Sequence, residues 1–311
     1  MSVNLKGKSF LSLKDFTKEE LEQILFQGEK LKIDHYAGKD EQLLKGKSVV
    51  VIFEKPSTRT RVSFAVAINE LGAFPLILET TNMQIKRGET IADTARTLGR
   101  YVHGIVARVY SQKTLEELRD NSHIPVINAL SDFSHPCQIM GDLLTIKEKK
   151  GRLERIKLAY LGDGNNNVSN SLLFGGSILG IQVRIGSPKG YEPMKEVVEL
   201  SKKLAKKSNS LTLITNDPKE AVKGADVVYT DVWASMGQES EHDKRLKSML
   251  PYQINNEILK YADRDVIVMH CLPAHRGEEI TNSVIDGPHS VVFDQAENRL
   301  HIQKAILSLL L

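Results

Sequence analysis

The sequence predicts an α/β protein with two doubly wound parallel-sheet domains and an active site in the cleft between them. Two observations lead to this fold class. Short apolar segments that suit buried strands alternate with helical stretches along the chain, which is typical of parallel sheets covered by helices. Clusters of polar residues follow the ends of these segments, where open parallel sheets bind their ligands.

The alternation restarts after Gly151, and it therefore divides the chain into two domains. A proline suits the first turn of a helix, so we expect a helix beginning at Pro136. The predicted domains are residues 1–135 completed by a C-terminal helix at 294–311, and residues 150–290, with a helix at 136–149 between them.

Each predicted strand is a short apolar run bounded by turn residues. The first half contains strands at 49–53, 74–78, 105–110 and 126–130, and the second half contains strands at 157–162, 182–185, 211–215, 226–232, 266–270 and 291–293. Helices follow at 62–68, 90–101 and 114–121, and the leucine-rich C-terminus forms a terminal helix.

The turn after the first strand is the strongest candidate for a ligand site in the first half. It contains five hydroxyl or arginine residues in succession, Ser57, Thr58, Arg59, Thr60 and Arg61. Backbone N–H groups and the positive end of the dipole at a helix start bind anions. Hydroxyls add hydrogen bonds, and a guanidinium can bind two phosphate oxygens at once. The pattern favours a phosphate site over the simple helix cap that a single Ser or Thr would indicate.

Two other polar groups lie near predicted strand ends in the first half. Arg108 interrupts an apolar strand, so it is either an edge-strand charge or a group directed into a site. His135 and Gln138 are three residues apart at a helix start, so both can face one point. A neutral imidazole beside an amide suits recognition of a small amide.

Composition excludes several functional classes. The 311 residues are 41% hydrophobic and 26% charged, and the net charge of +3 forms no basic stripe that would bind nucleic acid. No apolar run reaches the roughly 18 residues of a membrane span, and the polar start does not resemble a signal peptide. Cys137 and Cys271 show no metal-binding spacing, so we expect neither a metal site nor a disulfide framework. A cytoplasmic enzyme fits these observations.

A glycine-rich turn opens the second half. Gly162 and Gly164 resemble half of a dinucleotide-binding fingerprint, but the third glycine and a suitably placed acidic residue are absent from the sequence. The asparagines that follow favour hydrogen bonding to a polar ligand, or to the turn itself, over a nicotinamide site.

Five motifs together resemble those of the carbamoyltransferases that use carbamoyl phosphate, and most closely the ornithine members of that family. In chain order they are FEKPSTRTR at 53–61, HPCQ at 135–138, DVWASMG at 231–237, HCLP at 270–273 and FDQAENR at 293–299. The first two are typical of carbamoyltransferases in general, and the SMG and HCLP clusters separate ornithine enzymes from aspartate ones. The resemblance covers nearly the whole chain.

The resemblance implies an activity and its substrates. The carbamoyl group of carbamoyl phosphate would pass to the δ-amine of L-ornithine, giving L-citrulline and phosphate, in arginine biosynthesis or, in reverse, in arginine catabolism. An amine that attacks a carbonyl carbon needs charge stabilisation and orientation but no metal or redox cofactor, so we expect none.

The resemblance also implies a role for individual residues. Arg108, His135 and Cys271 would be catalytic. Carbamoyl phosphate would be bound by Ser57, Thr58, Arg59, Thr60, Gln84, Arg108, His135, Gln138, Cys271, Leu272 and Arg299. Ornithine would be bound by Asn167, Asp231, Ser235 and Met236. Gln84 lies where the family's mobile loop reaches across a subunit boundary, which implies a homotrimer that can assemble into larger oligomers.

One departure from the family pattern leaves an alternative open. The turn carries three successive asparagines, so Asn166 is the alternative to Asn167 as an ornithine ligand. Three rival functions also remain: a carbamoyltransferase acting on putrescine or another amino acid, a nucleotide-dependent dehydrogenase, and a non-catalytic protein that kept the fold. Asp231, Ser235 and Met236 favour an amino acid, because putrescine has no carboxylate to bind.

Overall fold

The computed structural model describes residues 3–39, 41–233 and 242–311. The chain forms two units, each with a parallel sheet of its own. The first unit contains Met1–Leu144 and Glu297–Leu311, and the second contains Thr145–Ala296.

Parallel strands form the centre of both units. The strands of the first unit are β1 (Ser48–Phe53), β2 (Phe74–Glu79), β3 (Gly104–Arg108) and β4 (Val126–Leu130), and those of the second are β5 (Lys157–Leu161), β6 (Gln182–Gly186), β7 (Thr212–Thr215), β8 (Val227–Thr230) and β9 (Ile267–His270). The first sheet has the order β2-β1-β3-β4 and the second has the order β7-β6-β5-β8-β9. The predicted class, two parallel-sheet α/β domains, is confirmed.

Helices connect the strands in both units. They are α1 (Lys18–Tyr36), α2 (Thr58–Glu70), α3 (Ile91–Tyr101), α4 (Gln112–Ser122), α5 (Pro136–Lys150), α6 (Asn167–Ile178), α7 (Lys195–Lys207), α8 (Pro218–Val222), α9 (His242–Met249), α10 (Asn256–Leu259), α11 (Asn282–Ile285) and α12 (Val292–Leu310). Across the described ranges, no helix is long and apolar enough to cross a membrane.

The register of each sheet brings several strand ends to one edge. In the first sheet Phe53 pairs with Arg108, and Arg108 pairs with Leu130. In the second sheet Thr230 at the end of β8 pairs with His270 at the end of β9. Polar residues that follow neighbouring strands are therefore close in space, as expected at the carboxyl edge of a parallel sheet.

Central strands are apolar because both of their faces are covered. Residues 49–53 of β1 are all buried, and Val50 and Ile52 among them pack in a core with residues of helices α3 and α4. The second unit has a separate core around β5, β8 and β9. Such burial explains why these strands read as continuous apolar runs.

The predicted strand at residues 291–293 is wrong. Val291 donates a backbone hydrogen bond to Val268 of β9, but helix α12 begins at the next residue. A three-residue apolar run fits the buried start of a helix as well as a strand, so periodicity could not separate the two.

Candidate functional site

The hydroxyl-rich turn lies at the N-terminus of α2. Ser57 has an extended backbone, and its Oγ accepts a hydrogen bond from the Thr60 amide at 3.2 Å, so Ser57 is the N-cap. The predicted helix at 62–68 therefore begins earlier, at Thr58, and Thr58, Arg59 and Thr60 form its first turn. Amides in a first turn lack carbonyl partners within the helix, which makes this position suitable for an anion.

Two distant arginines meet at Thr60, whose side chain is fully buried. Arg299 of α12 donates from Nη2 to Thr60 Oγ1 at 2.9 Å. Arg108, at the end of β3, approaches the same oxygen with Nη1 at 3.5 Å. The like charges of these guanidiniums repel each other, and a bound dianion would relieve that repulsion. Of the two alternatives for Arg108, an edge-strand charge or a group directed into a site, the structure supports the second, because the side chain is directed toward the turn.

His135 is buried beside this cationic group. Burial lowers its pKa well below the usual value of 6.5, and the charges of Arg299 and Arg108 lower it further. The imidazole is therefore neutral at neutral pH. A neutral ring can donate or accept a hydrogen bond at a carbonyl group without adding another positive charge.

Gln138 lies one turn into α5 from His135, and it is also buried. Its Nε2 donates to Asp142 Oδ1 at 2.8 Å. Its Oε1 has no hydrogen-bond partner among the described residues. A buried carbonyl oxygen in this state is a ready acceptor for the N–H group of a small amide.

Two nearby residues of these motifs have structural roles. Arg61 forms an ion pair with Glu79 and lies over the Phe53 ring, with its guanidinium carbon 5.1 Å from the ring centroid. Burial raises the pKa of Cys137 to about 12, and its thiol contacts the Asn128 carbonyl oxygen at 3.3 Å. A thiol with such a pKa is not a nucleophile at neutral pH.

Gln84 lies in the connection between β2 and α3. It begins a short 3-10 turn, Gln84–Arg87, and it is exposed.

A second polar group lies in the other unit, where β8 and β9 end. The Cys271 thiol donates to Asp231 Oδ1 at 3.0 Å, and the Val232 amide donates to the same oxygen at 2.8 Å. Asp231 is buried and Cys271 is partly exposed. The structure thus brings together two residues that are 40 positions apart in sequence.

Buried hydrogen bonds hold the loop that follows Cys271. His270 Nδ1 accepts a hydrogen bond from the Leu272 amide at 2.8 Å, so the ring hydrogen lies on Nε2, which donates a hydrogen bond to Glu279 Oε1 at 3.0 Å. Glu279 Oε1 also accepts from the His275 amide at 2.6 Å. Glu279 was not identified from the sequence; the available signal was an acidic residue a few positions after a histidine-containing loop.

The turn after β5 distinguishes between two of its asparagines. Asn166 caps α6: its Oδ1 accepts from the Ser169 amide at 2.8 Å. Its Nδ2 donates to Tyr160 Oη at 2.8 Å and to the Asp163 carbonyl at 2.9 Å. Both ends of the Asn166 side chain are therefore used within the protein. Asn167 is the first residue of α6 and is partly exposed.

Of the three remaining predicted site residues, two are not described and one directly follows Cys271. Ser235 and Met236 fall outside the described residues. Leu272 is partly exposed and has a positive φ of 57° next to Cys271.

Two clusters have the atoms to hold a metal ion. The first cluster contains Asp231, His270 and Cys271. The second contains His275, Glu278 and Glu279. Within each cluster the ligand atoms lie within 4.8 Å of one another. In the first cluster, however, both ring nitrogens of His270 already bond to protein groups.

Comparison with known proteins identifies related chains for both halves. The family model described as aspartate/ornithine carbamoyltransferase, carbamoyl-P binding domain, matches residues 8–148. The model described as aspartate/ornithine carbamoyltransferase, Asp/Orn binding domain, matches residues 154–310.

Individual relatives cover the whole chain. The ornithine carbamoyltransferase of Thermococcus kodakarensis is 54% identical over 311 residues, which are 100% of this chain and 98% of that protein. That of Carboxydothermus hydrogenoformans is 53% identical, with 100% of each chain covered. The solved structure of ornithine carbamoyltransferase from Pyrococcus furiosus has a TM-score of 0.96 and 52% identity, covering 99% of this chain and 98% of that one.

Proposed function

Because the chain belongs to the aspartate/ornithine carbamoyltransferase family, we propose that it transfers the carbamoyl group of carbamoyl phosphate to the δ-amine of L-ornithine, giving L-citrulline and phosphate. The convergence of Arg108 and Arg299 on Thr60, at a helix N-terminus beside a neutral histidine, carries the proposal. This arrangement suits a phosphate joined to a small carbonyl group.

We assign carbamoyl phosphate to the first domain, residues 1–135 with the C-terminal helix at 294–311, and ornithine to residues 150–290. The phosphate is bound by the hydroxyls of the α2 turn, by Arg59 and by Arg108. Helix N–H groups and a bidentate guanidinium together stabilise the charge of the phosphate while the substrate is bound and as the phosphate leaves. Arg299 completes this group through its hydrogen bond to Thr60.

Arg108, His135 and Gln138 address the carbamoyl group. A tetrahedral oxyanion forms when the amine attacks, and donors that point at this oxygen before the reaction stabilise it. Arg108 and the neutral imidazole of His135 supply such donors. Gln138 Oε1 accepts a hydrogen bond from the carbamoyl N–H₂ group, and its contact with Asp142 fixes its position.

In the second domain we assign the ornithine carboxylate to Asn167 and the Met236 amide, and the α-amino group to Asp231 and Ser235. The use of Asn166 as a helix cap supports Asn167. Cys271 and Leu272 lie near the attacking δ-amine. The δ-ammonium first loses one proton to solvent, and the nitrogen of the neutral amine then bonds to the carbonyl carbon. The bond from that carbon to the phosphate oxygen breaks, and the phosphate leaves with the second proton that the nitrogen gives up.

A panel of amines tests the proposed substrate. Citrulline or another carbamoylated product is measured from carbamoyl phosphate with L-ornithine, putrescine, L-aspartate or L-lysine at matched concentrations. A dominant rate with L-ornithine is expected. A dominant rate with putrescine would overturn the assignment of Asn167, Asp231 and Ser235, and no product with any amine would overturn the enzymatic function.

We also propose a homotrimer in which Gln84 reaches the active site of a neighbouring subunit. Gln84 is exposed, and the edge strand β2 exposes Phe74, Leu76 and Ile77. Exposed apolar residues on an edge strand favour pairing with another chain.

Mass and complementation test the trimer. Light scattering should give three times the chain mass. Subunits carrying Gln84→Ala and subunits carrying Arg59→Ala should each be inactive alone and should recover activity when mixed and reassembled, because one intact composite site forms. A monomeric mass, or no recovery in reassembled mixtures, would contradict the proposal.

We place the reaction in the cytoplasm, as the composition predicts. The relative from Pyrococcus furiosus is named an anabolic ornithine carbamoyltransferase, which favours the biosynthetic direction for this chain.

A further inference from the structure

We propose that Arg245 is a positioning residue for the amino-acid substrate, which fixes the turn carrying Asn167 against the segment carrying Asp231. The inference rests on the proposed function, because it concerns the ornithine half of that site. Arg245 lies on α9, outside every motif that the sequence indicated.

Arg245 joins two segments through its guanidinium. Its Nη1 donates to Asp163 Oδ2 at 2.6 Å, and the two side chains are only 9% and 6% exposed. The same nitrogen approaches the Trp233 carbonyl oxygen at 3.2 Å. One buried side chain thus contacts the turn after β5 and the segment after β8.

Each contact lies close to a proposed ornithine ligand. Asp163 belongs to the turn itself: its Oδ1 accepts from the Asn165 amide at 2.9 Å, and its carbonyl accepts from the Asn166 side chain at 2.9 Å. Asn167 follows directly as the first residue of α6. Trp233, in turn, is two residues after Asp231. Arg245 therefore sets the distance between a carboxylate ligand and an amino-group ligand.

Packing around the ion pair leaves the turn little freedom. The Arg245 guanidinium carbon lies 5.2 Å from the centroid of the Tyr191 ring, and the Tyr191 carbonyl accepts from the Gly164 amide at 2.8 Å. Gly162 has a φ of +129°, and a Cβ there would lie 3.2 Å from Trp233 Nε1. The turn, Tyr191 and Trp233 therefore pack as one unit around Arg245.

A buried ion pair contributes more to geometry than to net stability. Desolvation of two charges offsets much of their attraction, so such a pair is weak support for stability by itself. Burial raises the pKa of Asp163, and Arg245 opposes that rise. The effect specific to this pair is the placement of the groups that bind the substrate, so its loss should weaken the binding of that substrate more than it slows the chemical step.

Steady-state kinetics of Arg245→Gln, Asp163→Asn and the double variant test the inference. In each single variant we expect the KM for L-ornithine to rise about tenfold to a hundredfold, as for the loss of one hydrogen bond to a charged group of the substrate. The KM for ornithine of the double variant should not exceed that of the more affected single variant, because both substitutions remove the same ion pair. The kcat at saturating ornithine and the KM for carbamoyl phosphate should change less than about threefold.

Two more variants serve as controls. Arg245→Lys keeps the charge but cannot reproduce the guanidinium geometry, so it should recover part of the ornithine affinity; it replaces Arg245→Gln if that variant does not fold. Lys247→Gln, on the exposed side of the same helix, should match the wild-type protein.

Three results would overturn the inference. One is a double variant in which the effects of the two substitutions on the KM for ornithine are additive in free energy, together with a much larger KM increase in Arg245→Gln than in Asp163→Asn. Arg245 would then bind the substrate itself. Another is a parallel loss in kcat and both KM values with a lower melting temperature, which would show a structural role only. The third is an unchanged KM for ornithine. Wild-type protein that forms no citrulline in the same assay would instead overturn the proposed function.

Discussion

The polar groups of the two units differ in how their charges are balanced. In the first unit, Arg108 and Arg299 meet at one neutral hydroxyl, and the histidine beside them is held neutral. In the second unit, Asp231 accepts from Cys271, and Glu279 accepts from His270. The first group therefore brings two like charges to one hydroxyl, which suits an anion, whereas the second joins acidic groups to hydrogen-bond donors of the protein.

This contrast fits the two proposed substrates. A phosphate carries most of its binding energy in charge, so a group of converging cations suits it. An amino acid carries both signs of charge and must present one amine at a defined angle, so fixed hydrogen-bonded loops suit it. Substitutions in the first group should affect carbamoyl phosphate, and substitutions in the second should affect ornithine.

Replacement of Arg108 should have the largest effect. Arg108→Met should lower kcat/KM for carbamoyl phosphate about a thousandfold, because removing one donor to developing charge typically costs 10²–10³-fold in rate. Arg61→Gln is the matched control, since Arg61 belongs to the same arginine-rich motif but pairs with Glu79. Comparable losses in both variants would contradict the assignment.

Replacement of Asp231 should have the next largest effect, and on the other substrate. Asp231→Asn should lower kcat/KM for L-ornithine about a hundredfold, because a hydrogen bond to a charged group contributes about 1.5–3 kcal/mol. Asp226→Asn is the control: Asp226 just precedes β8 and accepts a hydrogen bond from the Lys157 amide. A rise in the KM for carbamoyl phosphate in place of the ornithine effect would break the contrast between the two groups.

Glu279 should have an intermediate effect. In Glu279→Gln, a buried amide replaces the carboxylate that holds His270 and the His275 amide, so the Cys271 loop should be less well fixed. We expect kcat/KM for ornithine to fall about tenfold, as for the loss of one hydrogen bond worth about 1.4 kcal/mol. Glu278→Gln, which changes a partly exposed neighbour, should have little effect. Equal rates in both variants would show that the loop does not depend on Glu279.

The smallest effect concerns stability and pH. Burial, Arg299 and Arg108 lower the pKa of His135, so below about pH 6.5 the unfolded chain takes up a proton that the folded site does not. The free energy of unfolding should therefore decrease as pH falls through that range, by up to about 1.4 kcal/mol per pH unit. His301, whose pKa is also lowered chiefly by burial, acts in the same direction.

Urea unfolding at about pH 7.5 and about pH 5.5 measures this effect. His135→Asn should show a smaller loss of stability on acidification than the wild-type protein. Equal losses in the two proteins would mean that His135 titrates similarly in the folded and unfolded chains.

Much of the fold could be predicted from the sequence because the central strands are covered on both faces. Residues 49–53 are an apolar run of strand length, and the structure has the central strand β1 there. The prediction of a strand at 291–293 was wrong because three apolar residues are too few to show a period, and a helix begins there.

The site was less predictable because several of its contacts are long-range. Ser57 and Gln138 lie in dense local motifs, but Arg299 is 239 residues from Thr60, so only the family resemblance placed it in the site. Glu279 and Arg245 were missed because each lies in a charged stretch that resembles a solvated surface. Their burial is a tertiary property that a single sequence does not express.

Calorimetric binding of carbamoyl phosphate, with ornithine absent, tests the division of labour most directly. The wild-type protein and Asp231→Asn should bind carbamoyl phosphate with the same affinity, and Arg108→Met should show no measurable binding. Loss of binding in Asp231→Asn, or normal binding in Arg108→Met, would contradict the claim that the cationic group of the first unit holds this substrate.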